Sequence, residues 1–193
     1  MPDYKCLIRN KFKINQYQLI PLREEDIYKI KKWRNEQMDV LRQKRVLTNA
    51  DQGKYFKDYV LPNFSEEYPT MILFSFLDEN NNLIGYGGLT NIDWESKRAE
   101  ISFLVDTSRI TDKEIYRSDF GSFLKMIKQV AFDDLKFNRL FTETYDIRPL
   151  HISILEENNL RAEGRMKEHV YINGSYVDSL LHGCLKSYYE SEK

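Results

Sequence analysis

The sequence predicts an α/β protein built from seven strands and four helices in a single domain. Three segments carry this prediction. Residues Ala99 to Asp106 alternate and are rich in β-branched and aromatic side chains, which is typical of a strand. The apolar residues between Phe120 and Leu135 recur at helical i, i+3, i+4 spacing. Farther along, Asn173-Gly174 separates two strand-like segments, and this dipeptide is the strongest short signal for a β-hairpin.

The composition limits the class of protein. A chain of 193 residues, 41% hydrophobic and 31% charged, fits one domain with a sizeable core better than two. The net charge of −1 gives no electrostatic argument for a nucleic-acid partner. No apolar run approaches the ~20 residues of a membrane span, and the N-terminus does not resemble a signal peptide. Because Cys6 and Cys184 lack metal-type spacing, we expect a reduced, cytoplasmic protein without a metal site or a membrane partner.

The N-terminal third predicts one strand and two helices. Residues 1–16 form an N-terminal arm, either loosely attached or containing a short extra strand. Tyr17 to Leu22 is the first predicted strand, and the acids within Arg23 to Asp26 open the first helix, where they favour the helix dipole. Thr48 is the predicted N-cap of the second helix, which ends at Pro62.

The middle of the chain predicts two adjacent strands. Met71 to Leu77 is nearly continuous in apolar residues, which indicates a strand covered on both faces. Leu83 to Leu89 is the returning strand, and it contains three glycines, Gly85, Gly87 and Gly88. Glycines in a strand indicate a bulge or the close approach of a ligand or another backbone. The alternative is that they relieve crowding against Trp94 or a tyrosine.

The long helix after Asp106 predicts an anion site. Ser118 or Asp119 stands at the expected N-cap, with Gly121 and Ser122 in the first turn. The first N–H groups of a helix have no partner inside it, so this end would bind a phosphate with help from Arg117 and Lys113. The alternative is an ordinary strand–loop–helix connection, because no fixed glycine pattern supports the phosphate site.

The last third predicts three strands and a short helix. The strands are Arg139–Tyr145, Glu163–Ile172 and Tyr176–Leu185, and the helix begins near Pro149. No linker or repeat interrupts residues 17–187, which we interpret as one domain followed by a tail at residues 188–193.

Four passages of this sequence resemble the GNAT superfamily of acyl-CoA-dependent N-acetyltransferases. They are W-R-N at Trp33–Asn35, A-E-I-S-F-L-V-D at Ala99–Asp106, L-E-E-N-N-L at Leu155–Leu160, and the passage Glu163–Asp178. With the order of elements, they look most like the branch that holds ribosomal-protein N-terminal acetyltransferases and acetyltransferases of nucleotide-linked amino sugars. The resemblance covers about residues 17–187.

The resemblance implies a splayed, mixed β-sheet of about seven strands with helices on both faces. It implies that acetyl-CoA, as co-substrate, enters a V-shaped gap between the fourth and fifth strands, here Ala99–Asp106 and Arg139–Tyr145. The predicted pantetheine contacts are the backbone groups of Phe103, Leu104 and Val105. The predicted phosphate contacts are Arg117, Ser118, Gly121 and Ser122. The phosphate loop departs from the family signature, because Phe120 stands where the first glycine belongs.

The resemblance also implies catalytic roles. Glu100 matches the glutamate that takes the proton from the acceptor amine, since an ammonium cannot attack. The alternative for Glu100 is a surface carboxylate paired with Arg98 or Lys97. Many members protonate the leaving thiolate with a tyrosine, but Leu155 stands at that position here. His151 is the nearest titratable replacement, and the alternative is a histidine that bonds to backbone or substrate.

The acceptor side of the predicted site contains Trp33, Arg34 and Asn35, with Tyr145 and Asp178 as further substrate contacts. We therefore expect an N-acetyltransferase acting on a small amine such as a nucleotide-linked amino sugar. One alternative is a protein N-terminal or side-chain acetyltransferase, and another is a non-catalytic acyl-CoA-binding module. The expected partners are acyl-CoA, an amine acceptor and a second copy in a homodimer.

Overall fold

The computed structural model describes residues 3–191, so two residues of the predicted arm and two of the predicted tail lie outside the described chain. Its strands are β1 Phe12–Ile14, β2 Tyr17–Pro21, β3 Ile72–Leu77, β4 Leu83–Asp93, β5 Arg98–Val105, β6 Arg139–Tyr145, β7 Arg161–Ile172 and β8 Ser175–Leu185. Its α-helices are α1 Ile27–Glu36, α2 Asn49–Tyr55, α3 Lys113–Lys128, α4 Pro149–Glu157 and α5 Lys186–Glu190. A π-helical turn extends α2 at Phe56–Val60, and another extends α3 at Gln129–Asp134.

All described strands belong to one mixed sheet in the order β1-β2-β3-β4-β5-β6-β8-β7. Every neighbouring pair is antiparallel except β5 and β6, which run parallel. The two strands pair over three residues only, where Arg98–Glu100 of β5 lies beside Arg139–Phe141 of β6. Beyond these residues the strands separate. The predicted splay between these two strands is therefore present.

Helices cover both faces of the sheet. On β5, Phe103 faces α3, where its ring lies 4.8 Å from that of Phe120. On the opposite face, the Tyr86 hydroxyl accepts a hydrogen bond from Arg34 of α1. The predicted α/β fold is confirmed, with eight strands where seven were expected.

The extra strand is β1, which lies in the predicted N-terminal arm and pairs with β2. The arm is also anchored by Tyr4, which is buried in the core. Its hydroxyl donates to the Leu73 carbonyl at 3.0 Å and accepts from the Leu73 amide at 2.8 Å. Of the two alternatives for this segment, the short extra strand is correct.

The strand glycines relieve crowding between neighbouring strands and rings. A Cβ on Gly87 would lie 2.2 Å from the Ser102 carbonyl oxygen and 2.8 Å from the Phe123 ring. A Cβ on Gly88, where φ is +156°, would lie 1.9 Å from the Ile72 carbonyl oxygen. The predicted close approach of another backbone is therefore correct, and neither Trp94 nor a tyrosine causes the crowding.

The start of the long helix was predicted six or seven residues too late, because the N-cap is Asp112 and not Ser118 or Asp119. α3 begins at Lys113, and the Asp112 carboxylate caps it by accepting from the amides of Glu114 and Ile115 at 2.9 and 3.1 Å. The apolar stripe of the helix extends back to Tyr116, which is buried one turn before Phe120. The segment that was interpreted as loop is therefore the first turn of the helix.

The other local signals agree with the structure. Thr48 caps α2 and forms a reciprocal capping box with Asp51. Asn173 and Gly174 join β7 to β8 with positive φ angles of 49° and 86°, as a two-residue hairpin turn of this type requires.

Candidate active site

The gap where β5 and β6 separate forms a cavity of about 200 Å³. Its walls are Arg34, Val40, Leu41, Arg42, Thr90, Glu100, Ile101, Ser102, Phe103, Phe120, Thr142, Glu143, Thr144, Tyr145, Arg148, His151 and Leu155. Aromatic rings stack along one side of the cavity. The centroid of the Phe120 ring lies 4.8 Å from that of Phe103 and 4.1 Å from that of His151. The Thr144 hydroxyl is buried beside the gap without a hydrogen-bond partner among the described residues. The wall of the gap therefore contains a buried hydroxyl without a protein partner in residues 3–191.

The backbone of β5 offers further groups to the gap. Antiparallel pairing alternates the backbone groups of a strand between its two sides. Because the Asp106 amide donates to the Ile84 carbonyl, the groups of Leu104 face β4, whereas those of Phe103 and Val105 face the gap. The Val105 carbonyl already accepts from Gln37 Nε2 at 2.9 Å. Among the three predicted pantetheine contacts, Phe103 has the available N–H and C=O, and Leu104 is engaged in the sheet.

Glu100 lies at the point where the two strands part, and it is 7% exposed. Its carboxylate accepts from Arg42 Nη2 at 2.8 Å, from Arg42 Nη1 at 3.2 Å and from Asn91 Nδ2 at 2.5 Å. Arg42 also binds Glu143 Oε2 at 2.8 Å, so it bridges the mouth of the gap from β5 to β6. The alternative pairing of Glu100 with Arg98 is wrong, because Arg98 binds Asp93.

His151 lies on α4 with its ring buried in the wall of the gap. Its Nδ1 is 2.7 Å from the Tyr116 hydroxyl, which also accepts from Arg148 Nη2 at 3.0 Å. Burial lowers the pKa of His151 well below its ordinary value, and the nearby charges of Arg148 and His182 act in the same direction. The imidazole is therefore neutral at physiological pH.

The predicted phosphate contacts lie on the body of α3, away from its first turn. Ser118 lies 3.0 Å from the Tyr17 hydroxyl, and Arg117 forms an ion pair with Glu157 of α4. Gly121 and Ser122 are the ninth and tenth residues of the helix, so their amides belong to its interior. The inference that Ser118 to Ser122 form the helix N-terminus is wrong. The true N-terminus is capped by the Asp112 carboxylate, which would repel a phosphate.

A second cavity of about 290 Å³ lies on the α1 face of the sheet. Its walls are Leu22, Ile30, Arg34, Leu47, Asp51, Gln52, Tyr55, Leu73, Tyr86, Thr90 and Ser102. It shares Arg34, Thr90 and Ser102 with the first cavity, so the two meet at these residues. Gln52 is 6% exposed, and its side-chain amide forms no hydrogen bond with the described residues.

Of the other predicted acceptor contacts, two line a cavity and two do not. Arg34 lies between the two cavities, where Nη1 donates to the Tyr86 hydroxyl at 2.6 Å and Nε donates to Gln43 Oε1 at 3.1 Å. Tyr145 lines the first cavity. Asn35 instead holds the segment before α2, since its side chain bonds both backbone groups of Leu47. Trp33 is buried in the core and lines neither cavity, so the geometry does not support an acceptor contact.

Asp178 lies outside the gap. Its carboxylate binds Arg165 and Lys167 of β7, each at 2.9 Å, and accepts from the Glu168 amide. These contacts hold the pKa of Asp178 well below its usual range, with Arg165 as the main cause. Asp178 therefore stabilises the β7–β8 hairpin, and the structure does not bring it to the predicted substrate site.

Several residues of the site escaped the sequence analysis, among them Arg42, Gln52, Asn91, Tyr116, Thr144 and Arg148. Tyr116 had a detectable signal, because it continues the apolar stripe of α3 one turn before Phe120. Arg42 and Asn91 had no such signal in the sequence. Arg42 reaches Glu100 from an irregular segment before α2, and Asn91 reaches it from the end of β4. Gln52 is a polar residue on α2, where the pattern gave no reason for burial.

Two further properties of residues 3–191 concern cofactors and membranes. No group of three or more His, Cys, Asp or Glu side chains in that range is arranged to hold a metal ion. None of the helices described there is both long and apolar enough to cross a bilayer.

The comparisons of this chain with protein-family models and with solved structures agree with each other. The sequence model of the family described as "Acetyltransferase (GNAT) domain" matches residues 19–181. A search of curated proteins finds no match. Among solved structures, a spermidine N-acetyltransferase from Vibrio cholerae in complex with CoA and spermine is 21% identical, with a TM-score of 0.77 over 91% of this chain and 98% of that one. A dodecameric structure of spermidine N-acetyltransferase from the same organism is 20% identical, with a TM-score of 0.75 over 92% and 98%. These structures share the fold of this chain.

Proposed function

The chain belongs to the GNAT family of acetyltransferases, and we propose that it acetylates a small amine whose remaining groups are neutral or anionic. As a member of this family it is an acyl-CoA-dependent N-acetyltransferase with acetyl-CoA as co-substrate. The observation that carries the proposal is the meeting of the two cavities at Arg34, Thr90 and Ser102. An acceptor in the second cavity would therefore lie next to the gap between β5 and β6.

The gap suits the acyl donor. The Phe103 N–H and C=O face it without a strand partner, and the Thr144 hydroxyl is buried beside it without a hydrogen bond. These groups could bind the amides of a pantetheine arm. The N-terminus of α3 is not available to the phosphates of acetyl-CoA, because the Asp112 carboxylate already accepts from its first-turn amides. The phosphates would therefore bind at another place.

The charges of the acceptor cavity argue against a polycation. The solved neighbours are described as spermidine N-acetyltransferases, and spermidine carries several positive charges. In this chain the charged residues that line the acceptor cavity are Arg34 and Asp51. The Asp51 carboxylate is already bound by Arg45 at 2.8 Å and by Thr48. The cavity therefore presents a cation and the Gln52 amide, which favour hydroxyl, carbonyl or anionic groups on the acceptor.

A nucleotide-linked amino sugar has this chemistry, and it remains our predicted acceptor. Its hydroxyl groups could bind Gln52 and the phenols of Tyr55 and Tyr86, while its phosphates would favour Arg34. The aliphatic walls from Leu22, Ile30, Leu47 and Leu73 would pack against the carbon skeleton.

We propose Glu100 as the base and His151 as the acid of the reaction. Glu100 would accept the proton of the acceptor ammonium, and the neutral amine would then attack the acetyl carbonyl. The C–N bond forms, the nitrogen loses its second proton to solvent, the C–S bond breaks, and His151 would donate a proton to the leaving thiolate. Arg42 must release Glu100 for this step, and its side chain is 56% exposed at the mouth of the gap.

An acceptor screen tests the proposal. Purified protein with acetyl-CoA is given a nucleotide-linked amino sugar, a free amino sugar, spermidine and a peptide with a free N-terminus, and released thiol is measured. We expect the highest kcat/KM with an amino sugar or its nucleotide. A higher kcat/KM with spermidine, or with the peptide, would contradict the proposed acceptor class. The homodimer and the cytoplasmic location stay predictions.

A further inference from the structure

Behind His151 lies a pair of polar groups that the proposed reaction does not yet use. The Tyr116 hydroxyl is buried 2.7 Å from His151 Nδ1, and Arg148 Nη2 donates to the same oxygen at 3.0 Å. The three residues come from two helices, α3 and α4, and from the residue that precedes α4. A phenol, an imidazole and a guanidinium therefore form one chain that ends in the gap.

The hydrogen bonds favour one tautomer of His151. The phenol oxygen already accepts from Arg148, and its single proton needs an acceptor, which Nδ1 provides. Because the imidazole is neutral, its own proton then resides on Nε2. None of the described residues takes a hydrogen bond from Nε2, although the ring lines the cavity. The result is an unused N–H donor at the wall of the gap.

We propose that Tyr116 and Arg148 are positioning residues that hold His151 as an Nε2–H donor and replenish its proton during acetyl transfer. This inference rests on the proposed function. When the C–S bond breaks, Nε2 gives its proton to the thiolate and Nδ1 takes the phenolic proton. The resulting phenolate is stabilised by the Arg148 cation. Of the two protons that the acceptor ammonium loses, one returns to Tyr116 through solvent and the other is released, so the protons balance over one turnover.

The surroundings of Tyr116 fit this role. Burial raises its pKa, while the charge and hydrogen bond of Arg148 oppose that rise. Asp119, the other nearby charge on α3, is occupied by Arg109 at 2.5 Å. His151 itself is fixed by the Phe120 ring, which is stacked on it at 4.1 Å with 13° between the planes. The imidazole can therefore keep one orientation without other polar partners.

The first test reads the tautomer without substrate. The chain contains three histidines, so 15N NMR of histidine-labelled protein identifies His151 by its loss in His151→Gln. We expect the proton on Nε2 in the wild type, and a mixture of tautomers in Tyr116→Phe. A proton on Nδ1 in the wild type overturns the proposal, whether or not the enzyme turns over.

The second test measures turnover. Tyr116→Phe keeps the ring and removes the hydroxyl, and Tyr17→Phe is the matched control, because its buried hydroxyl bonds Ser118 away from the gap. We expect kcat to fall about tenfold or more in Tyr116→Phe, with acetyl-CoA affinity retained. Arg148→Met should lower kcat in the same direction, which keeps the test valid if Tyr116→Phe does not fold. Variants with kcat within twofold of Tyr17→Phe contradict the relay. A wild type that acetylates no acceptor contradicts the proposed function instead.

Discussion

Glu100 illustrates what a single residue does in this site. Its carboxylate accepts three hydrogen bonds, two from Arg42 and one from Asn91, at the point where β5 and β6 part. The resemblance to the family predicted the position of this carboxylate, but not its partners. Arg42 is 58 residues away in sequence and lies between helices, so no periodicity could link it to Glu100.

Replacing Glu100 tests its role as base. Glu100→Gln keeps the shape of the side chain and removes its ability to take a proton. We expect kcat to fall by roughly 10²-fold or more, with acetyl-CoA binding retained. The defect should shrink at high pH, where the acceptor amine is already neutral. The matched control is Glu163→Gln, which removes a carboxylate paired with Arg139 on the sheet edge. Turnover equal to that control between pH 6 and 9 would make Glu100 a structural residue.

Arg34 is the residue that distinguishes the proposed acceptor class. It lies where the two cavities meet and donates to Tyr86 and Gln43. Arg34→Gln removes the charge but keeps a hydrogen-bonding side chain. We expect the KM for an anionic acceptor to rise about tenfold or more, the usual loss for a charge-assisted hydrogen bond, with acetyl-CoA affinity unchanged. Isothermal titration with acetyl-CoA and steady-state kinetics with the acceptor measure the two effects separately. Normal acceptor kinetics would remove Arg34 from the site.

At the scale of elements, helix α3 shows that a sequence pattern can predict a helix without predicting where it starts. The helix itself and its buried stripe were predictable from spacing. Its start was not, because Asp112, Ser118 and Asp119 are all suitable caps. Packing decides among them, since Tyr116 fits beside Phe120 and His151 only if the first turn is already helical. Asp119 is instead buried against Arg109, which a cap position would not allow.

A glycine pair tests the corrected helix. Gly121 lies inside α3, and a Cβ there would meet only Asn158 Nδ2, at an ordinary 3.7 Å. Gly121→Ala should therefore stabilise the protein by ~0.5–1 kcal/mol, because glycine disfavours a helix interior. Acetyl-CoA affinity should not change. Gly87→Ala is the contrasting variant, since its Cβ would lie 2.2 Å from the Ser102 carbonyl oxygen, and it should be clearly destabilised. Urea unfolding and titration measure both effects, and a tenfold loss of affinity in Gly121→Ala would restore this turn as a phosphate contact.

At the scale of the whole molecule, the predictable part of the fold is local and the unpredictable part is long-range. The hairpin at Asn173-Gly174 follows from two residues. The placement of β6 beside β5, and its separation from β5 after Glu100, depends on pairings across the sheet that no local pattern encodes. Only the resemblance predicted the splay. Of the second cavity the resemblance predicted only Arg34, because the cavity is assembled from α1, α2 and three strands, which meet only after folding.

Protonation of His151 links the active site to the stability of the whole chain. Burial, with Arg148 and His182 facing the ring, keeps the pKa of His151 far below the value near 6.5 that it has when unfolded. Below about pH 6.5 the unfolded chain therefore binds a proton that the folded chain does not. The contribution of His151 to the free energy of unfolding is fully present above pH 6.5 and is lost as the pH falls below that value. The limiting slope of this loss is ~1.4 kcal/mol per pH unit. Between pH 7 and 5 the free energy of unfolding should therefore fall as the pH falls.

Urea unfolding at several pH values measures this linkage. His151→Gln should have a flatter dependence between pH 7 and 5 than the wild type, whatever its absolute stability. His169→Gln is the control for the loss of a histidine from the surface, because that side chain is 45% exposed. The carboxylates whose pKa values are lowered by partners, such as Asp93 and Glu157, lose their contribution only as the pH falls below about 4, outside this window. Equal slopes for wild type and His151→Gln would mean that the folded protein accepts a proton at His151. The neutral imidazole that the relay requires would then be lost as the pH falls below about 6.5.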